Sequence, residues 1–297
     1  MNDARYQTKK RQERFPTLRS DGPEGGDHGG YATKKQLGQH FLHEAGIIEK
    51  IVRAIDPKPG ERIVEIGPGQ GALTLPLLRR ILAVSGDAPP SPALSVIEFD
   101  RDLIAGLEHI GTTVAPLRIV HADVLTVDLT ELAGPAPIRL VGNLPYNISS
   151  PILFHALEHA DVITDMHFML QKEVVDRMAA EPGSKVYGRL SVMLQAYAKV
   201  QSLFLVPPGA FRPPPKVDSA VVRLVPRPAE HVGIHHHATF SRIVKAAFGQ
   251  RRKTLRNALG NACTPEQIIA AGIDPSDRAE RIDVARFIAL ANLVAAG

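Results

Sequence analysis

Arg62-Ile-Val-Glu-Ile-Gly-Pro-Gly-Gln-Gly-Ala-Leu-Thr74 decides the reading of this chain. Its first five residues are a short run rich in β-branched side chains, the pattern of a buried strand. Gly67, Gly69 and Gly71 then turn the chain into a helix predicted over 72–82. Strand, glycine loop and helix in immediate succession are the opening unit of a doubly wound sheet. Glycines let backbone approach a ligand closely, and the helix start offers N–H groups with no partner inside the helix. A tight turn that holds no ligand would use the same residues.

Working outward, Glu44–Ile55 places Ile47, Ile48, Ile51, Val52 and Ile55 on one helical face, and Pro57-Lys-Pro-Gly60 ends that helix. Strands are expected at 94–98, 117–121, 138–142, 163–170, 200–206 and 219–225, separated for the most part by helices at 100–110, 149–159, 171–180 and 189–198. This alternation predicts an α/β fold: a doubly wound, mostly parallel, seven-stranded Rossmann-like sheet. Only the Pro-rich segment 207–215 separates the last two strands, so the sheet should end in an antiparallel hairpin. Residues 239–297 lack strand patterning and read as a small all-helical C-terminal domain, with helices near 239–248, 250–259, 265–271 and 283–295. The expected division is a polar, glycine-rich mobile tail over 1–31, a catalytic domain over 32–226 and the helical domain over 239–297. Ser85–Ala93 reads as a surface loop and 226–238 as a linker holding His235–His237.

Three strand ends carry candidate chemistry. Glu98 closes the strand after the glycine loop, where a carboxylate can accept hydrogen bonds from ribose hydroxyls. Asp123 follows the next strand and can accept from an exocyclic amine. Either acid has a plainer reading as a cap for the segment that follows. Two acids beside a G-x-G-x-G loop favour an adenosine pocket, and the loop spacing favours S-adenosylmethionine over NAD. The fourth strand end, Val141-Gly-Asn-Leu-Pro-Tyr-Asn-Ile-Ser149, is sharper. Asn143 supplies an amide oxygen, Leu144 is held extended by Pro145 so that its carbonyl can point outward, and Tyr146 offers a flat stacking face. Together they suit an amino group on a flat heterocycle. The alternative is a proline turn with a buried tyrosine.

Composition narrows the field. Of 297 residues 44% are hydrophobic, yet no apolar run reaches the ~18 residues of a membrane span. The single cysteine, Cys263, excludes a disulfide scaffold. No secretory signal is evident in Met1–Arg19, so a cytoplasmic protein is expected. Net charge is only +4, but its distribution is uneven. Residues 41–238 carry 18 basic and 21 acidic side chains, whereas 239–297 carry 9 and 5. Within 239–260 there are six cations, among them Arg251, Arg252 and Lys253, and no acid. Such unopposed charge suits phosphate contact, although a charged helix face is often merely solvated. Three consecutive histidines in a linker cannot easily converge on one ion, so no metal is expected there.

Taken in order, several motifs resemble the ribosomal RNA adenine dimethyltransferase family. They are Leu37-Gly-Gln-His-Phe-Leu42, Val64-Glu-Ile-Gly-Pro-Gly69, Asn143-Leu-Pro-Tyr-Asn-Ile-Ser149, Met169-Leu-Gln-Lys-Glu-Val174, Phe211-Arg-Pro-Pro-Pro-Lys-Val-Asp-Ser219 and Phe248-Gly-Gln-Arg-Arg-Lys-Thr254. The likeness spans about Lys34 to Ala295. It implies S-adenosylmethionine as cofactor, contacted by His40, Leu42, Gly67, Gly69, Glu98, Asp123 and Asn143. The family commonly carries Asn where this chain has His40. The resemblance also implies that Asn143, Leu144, Pro145 and Tyr146 hold the target adenine, with Phe211 facing it from the opposite side. A core phenylalanine beneath the proline loop is the other reading of Phe211. The RNA would be gripped by Arg251, Arg252 and Lys253. The implied activity is N6,N6-dimethylation of two adjacent adenosines near the 3′ end of 16S rRNA in the small ribosomal subunit, by a monomer acting in ribosome biogenesis. Rival readings are an NAD-dependent dehydrogenase, the macrolide-resistance branch acting on large-subunit RNA, and an assembly factor acting mainly by binding.

Overall fold

A computed structural model describes residues 40–86 and 91–296. The expected tail over 1–31, the motif residues 37–39 and part of the 85–93 loop lie outside them. The described chain divides into two compact units, one of residues 40–175 and 201–225, the other of 176–200 and 226–296.

The first unit is built on a seven-stranded sheet. After the short strand β1 (Phe41–Leu42) and helix α1 (Ala45–Ile55) come β2 (Arg62–Ile66), α2 (Thr74–Ser85), β3 (Leu94–Glu98), α3 (Arg101–Thr113), β4 (Leu117–His121), α4 (Leu129–Ala133) and β5 (Ile138–Asn143). Then follow α5 (Ser149–Glu158), β6 (Ile163–Gln171), α6 (Lys172–Met178), α7 (Arg189–Tyr197), β7 (Ala198–Val206), β8 (Phe211–Arg212) and β9 (Ser219–Pro226). The sheet order is β4-β3-β2-β5-β6-β9-β7, and β4 through β6 pair in parallel. The last two long strands, β7 and β9, are neighbours at the edge of the sheet as expected, and β9, the inner of the two, runs antiparallel to β6. β1 and β8 form a separate two-stranded antiparallel ribbon that periodicity could not reveal, because each has only two residues.

Local chemistry explains the elements. The Glu44 carboxylate caps α1 by accepting from the Gly46 and Ile47 amides at 3.1 and 2.6 Å. Ile48, Ile51, Val52 and Ile55 are buried along its inner face, and α1 ends where Asp56 turns left-handed before Pro57. Leu77, Leu78 and Ile81 of α2 are buried in the same core as α1. Each such side chain is worth roughly 1.5–3 kcal/mol.

The second unit is helical, with α8 (Ala229–Val232), α9 (His237–Gly249), α10 (Leu255–Leu259), α11 (Pro265–Ala270) and α12 (Val284–Ala296). It takes in α7 as well, so it is larger than the expected 239–297 segment. Phe248 packs on Phe287 and Tyr187, and the Tyr187 hydroxyl donates to the Ile282 carbonyl at 2.9 Å. The histidine run has structural work here. His236 Nδ1 caps α9 by accepting from the Thr239 amide, and His237 stacks on Tyr197.

Three strands of the sheet are tied by one buried carboxylate. Asp165 on β6 accepts from Arg139 Nε and Nη2 at 2.7 and 3.1 Å and from Arg223 Nη2 at 2.8 Å. Arg139 also reaches Glu61 at 2.7 Å and the Ile55 carbonyl at 2.6 Å. Burial would raise the Asp165 carboxyl, but Arg139 and the other partners outweigh it and hold the group below the usual range. Two positions along, the same burial, helped by Arg139 and Arg223, outweighs Asp165 and holds the His167 imidazole down at about 4, hence neutral at pH 7.

Glu65 on β2 is the opposite case. Burial pushes its carboxyl up to about 7, against a 2.7 Å bond from the Thr74 hydroxyl and with Glu98 adding to the rise. A carboxyl raised above its unfolded value stabilises most below that unfolded value, and loses this share as pH rises through the folded one.

Two outcomes follow from these buried groups. Asp165→Asn, which leaves Arg139 buried without its main counter-charge, should cost on the order of 3 kcal/mol in denaturant unfolding; a loss below ~1 kcal/mol would contradict the tie. Glu65→Gln should raise Tm relative to the parent at pH 8 by at least about 2 °C, with a smaller gain at pH 5. An equal shift at both pH values would show that Glu65 is not protonated in the fold.

Candidate functional site

The carboxyl ends of β2, β3 and β5 open into one pocket. The glycine loop forms its floor. Gly67 and Gly69 sit at φ +66° and +58°, a region that side chains with a Cβ rarely adopt. Gly71 sits at φ +80°, and a Cβ there would come within 2.6 Å of the end of the Ile110 side chain, which would have to shift. The Gly67 amide donates to the Ile97 carbonyl at 2.9 Å, which fixes the loop on β3. The Glu98 carboxylate accepts from the Gly69 amide at 3.1 Å and the Asp100 amide at 2.8 Å. It is 6% exposed yet lines the pocket. A carboxylate has about four lone-pair sites, so these two bonds leave acceptor capacity for hydroxyls.

The facing wall is the end of β5. Gly142 lies against β2, where a Cβ would meet the Ile66 carbonyl oxygen at 2.4 Å. Asn143 follows, and its Nδ2 donates to the His40 carbonyl at 3.0 Å. That bond occupies the donor end of the amide and turns Oδ1 to other partners. The Leu144 amide donates to the Met169 carbonyl at 3.1 Å, which seats the segment on β6. The Tyr146 hydroxyl shares a 2.6 Å hydrogen bond with Ser219, and burial raises its pKa, so it stays a neutral phenol. His40 stacks on Tyr146 with ring centres 5.8 Å apart, while its Nδ1 donates to the Pro213 carbonyl at 2.8 Å.

The pocket gathers His40, Leu42, Gly67, Gly69, Glu98, Asn143, Leu144, Pro145 and Tyr146 from four separate stretches of chain. Two expected members are not in its lining. Asp123 is exposed and its side chain accepts from the Leu125 amide at 3.0 Å, the plainer capping role. Phe211 does not present its ring at the pocket mouth. It pairs with Leu42 across the ribbon and is 1% exposed, packed in the core with Val206 and Val221. Burying an aromatic ring there is worth more than holding it in water. His40 also differs from a free polar contact, because Pro213 already engages its Nδ1. The lining adds residues that had no assigned role, Phe41, Ile51, Glu65 and His167. Glu65 and His167 were legible in principle, as polar residues within apolar strand runs.

Arg251, Arg252 and Lys253 belong to the helical unit. They lie in the turn between α9 and α10 rather than on the expected 250–259 helix. All are exposed, and Arg251 donates to the Lys185 carbonyl at 2.9 Å with Glu280 3.9 Å away. The opposing acid thus comes from a distant segment.

Known proteins share this arrangement. A family model described as ribosomal RNA adenine dimethylase matches residues 30–296. Ribosomal RNA small subunit methyltransferase A of Xanthomonas campestris pv. campestris (strain B100) is 64% identical over 260 residues, covering 88% of this chain and 95% of that protein. The protein of the same name from Xanthomonas axonopodis pv. citri (strain 306) matches to the same extent. A dimethyladenosine transferase from Plasmodium falciparum has a similar structure, with a TM-score of 0.67 at 25% identity, covering 84% of this chain and 96% of that one. The 23S rRNA methyltransferase ErmE shares the fold, with a TM-score of 0.66 at 24% identity over 86% of this chain and 99% of that one. A glycine loop, an acid closing β3 and an Asn-Leu-Pro-Tyr strand end, in a chain matched by that model over nearly its whole length, mark it as a member of the ribosomal RNA adenine dimethylase family.

Proposed function

We propose that this protein dimethylates the N6 amines of two adjacent adenosines near the 3′ end of 16S rRNA in the small ribosomal subunit, with S-adenosylmethionine as methyl donor. The observation that carries this is the Asn143 amide, whose donor end is bound to the His40 carbonyl beside the glycine loop and Glu98. The relatives named as small-subunit methyltransferases, 64% identical over 88% of the chain, support the choice of RNA over a large-subunit target. The loop spacing argues against a dehydrogenase.

The donor set fits the cofactor. Glu98 offers carboxylate oxygens for ribose hydroxyls, Gly67 and Gly69 let backbone approach closely, and Leu42, Ile51 and Leu73 supply an apolar lining. Asp123, at the end of β4, would reach the adenine edge by giving up its cap. When bound, S-adenosylmethionine supplies an electrophilic methyl group on a sulfonium. The chain's own residues prepare the amine. An adenine N6 is a poor nucleophile because its lone pair is delocalised into the ring. Asn143 Oδ1 and the Leu144 carbonyl accept its two hydrogens, which favours a pyramidal nitrogen with its lone pair free. Tyr146, held by Ser219 and His40, stacks on the base, and Pro145 keeps Leu144 extended. Phe211 serves from beneath, fixing Leu42 across the ribbon. Correct orientation of two reactants is worth ~7–11 kcal/mol. The alkylated nitrogen is strongly acidic and loses its proton to water, so no side chain need act as base.

Arg251, Arg252 and Lys253 would contact RNA phosphates from the helical unit. The described residues include no helix long and apolar enough to cross a membrane, consistent with work on ribosomal RNA in the cytoplasm.

Asn143→Ala should lower the turnover of labelled methyl transfer to unmethylated small subunits by about 10²–10³-fold. Full retained activity would refute its role. Arg251→Glu combined with Arg252→Glu should weaken subunit binding at least about ten-fold. Affinity for S-adenosylmethionine, read by calorimetry, should not change; loss of both would indicate a damaged fold instead.

A further inference from the structure

The loop between Phe211 and Ser219 has work that the methyl-transfer chemistry does not use. Both its ends hang on the pocket walls. At one end the Pro213 carbonyl accepts from His40 Nδ1, and at the other the Ser219 hydroxyl is bonded to Tyr146. The Asp218 carbonyl accepts from the Lys172 amide at 2.9 Å, a third tether. Pro213, Pro214 and Pro215 stiffen the span between, and Pro215 is buried. A loop so held loses little entropy when something binds to it.

On this loop stand Arg212 and Lys216, both exposed. Among the described residues neither side chain has a hydrogen bond or an ion pair. Asp218, the loop's only acid, pairs with neither cation. Register shows where Arg212 points. Arg212 lies directly opposite Phe41 in the β1–β8 ribbon, and directly opposed residues project from the same face. Phe41 lines the pocket, its ring beside Gly69, while Leu42 and Phe211 form the buried pair next along. Arg212 therefore leaves the ribbon on Phe41's side, at the pocket rim.

We propose that Arg212 and Lys216 form a phosphate clamp at that rim, taking the sugar–phosphate backbone of the RNA strand on either side of the target adenosine. This rests on the reading of the pocket as an adenosine site. A nucleotide cannot place its base between Asn143 and Tyr146 without bringing its flanking phosphates to the rim. A guanidinium offers a planar fork that matches two phosphate oxygens, and a lysine offers a point charge. The clamp acts on the few nucleotides around the target, a task separate from any gripping by the Arg251–Lys253 turn.

The test uses the full chain with Arg212→Gln and Lys216→Gln together, assayed on unmethylated small subunits across a potassium chloride series. Each contact to single-stranded phosphate contributes about 0.7 to the logarithmic salt slope, so the double variant should flatten the slope of kcat/KM by about 1.4. KM for subunits should rise roughly ten-fold at moderate salt, kcat at saturation should hold, and S-adenosylmethionine affinity should match the parent. Arg212→Glu alone should raise KM further than Arg212→Gln. An unchanged slope and KM would overturn the clamp, as would a fall in S-adenosylmethionine affinity, which would make the loop a scaffold. If the parent chain itself fails to methylate small subunits, the functional reading falls and the clamp with it; a methylating parent matched by the double variant removes the clamp alone.

Discussion

The parallel register of β2, β3 and β5 is the constraint on which the rest depends. Ile66 pairs with Ile97 and Glu65 with Val141, so these strands end together at one edge of the sheet. A parallel sheet requires each strand to be reached by a crossover, and its loops at the carboxyl edge converge whatever their sequence separation. Gly142 is the tightest point. The Ile66 carbonyl lies where its Cβ would be, so β2 and β5 could not approach this way with any other residue. That closeness brings Asn143 alongside the glycine loop.

Charge is distributed over the sheet in a way that serves this edge. Asp165 gathers Arg139 and Arg223 within the buried part of β6, and the cations keep it ionised. Nearer the pocket, burial pushes the Glu65 carboxyl up to about 7 and the His167 imidazole down to about 4, so His167 is neutral at pH 7 and Glu65 carries less than a full charge there. Glu98 accepts hydrogen bonds from the backbone amides of Gly69 and Asp100.

Much of this was legible in the chain. The run Arg62–Ile66 and the glycines that follow could form little else, and the succession of β-branched runs and helical faces led directly to the doubly wound sheet. Glu98 and the Asn143–Tyr146 segment were legible as site residues because their chemistry follows immediately on a strand end. Phe211 and Asp123 were harder. A phenylalanine beside prolines looks the same whether its ring faces a ligand or the core, and an acid after a strand looks the same whether it binds or caps. The β1–β8 ribbon left no periodic trace, since two residues have no period. The basic stretch showed its charge but not its shape, and Arg251–Lys253 proved to lie in a turn.

The order of elements, the residue types at the strand ends and the family itself were settled by the chain's own pattern, because periodicity and glycine spacing are local properties. Long-range pairing was decided only by the tertiary structure. That β9 inserts beside β6, that Phe41 faces Arg212 across a ribbon, and that the His40 carbonyl orients the Asn143 amide over 103 residues of separation are all contacts between distant segments. No local propensity encodes them. They arise because closing the sheet and burying its core leaves each backbone group few partners, and those partners then fix where the side chains of the site must point.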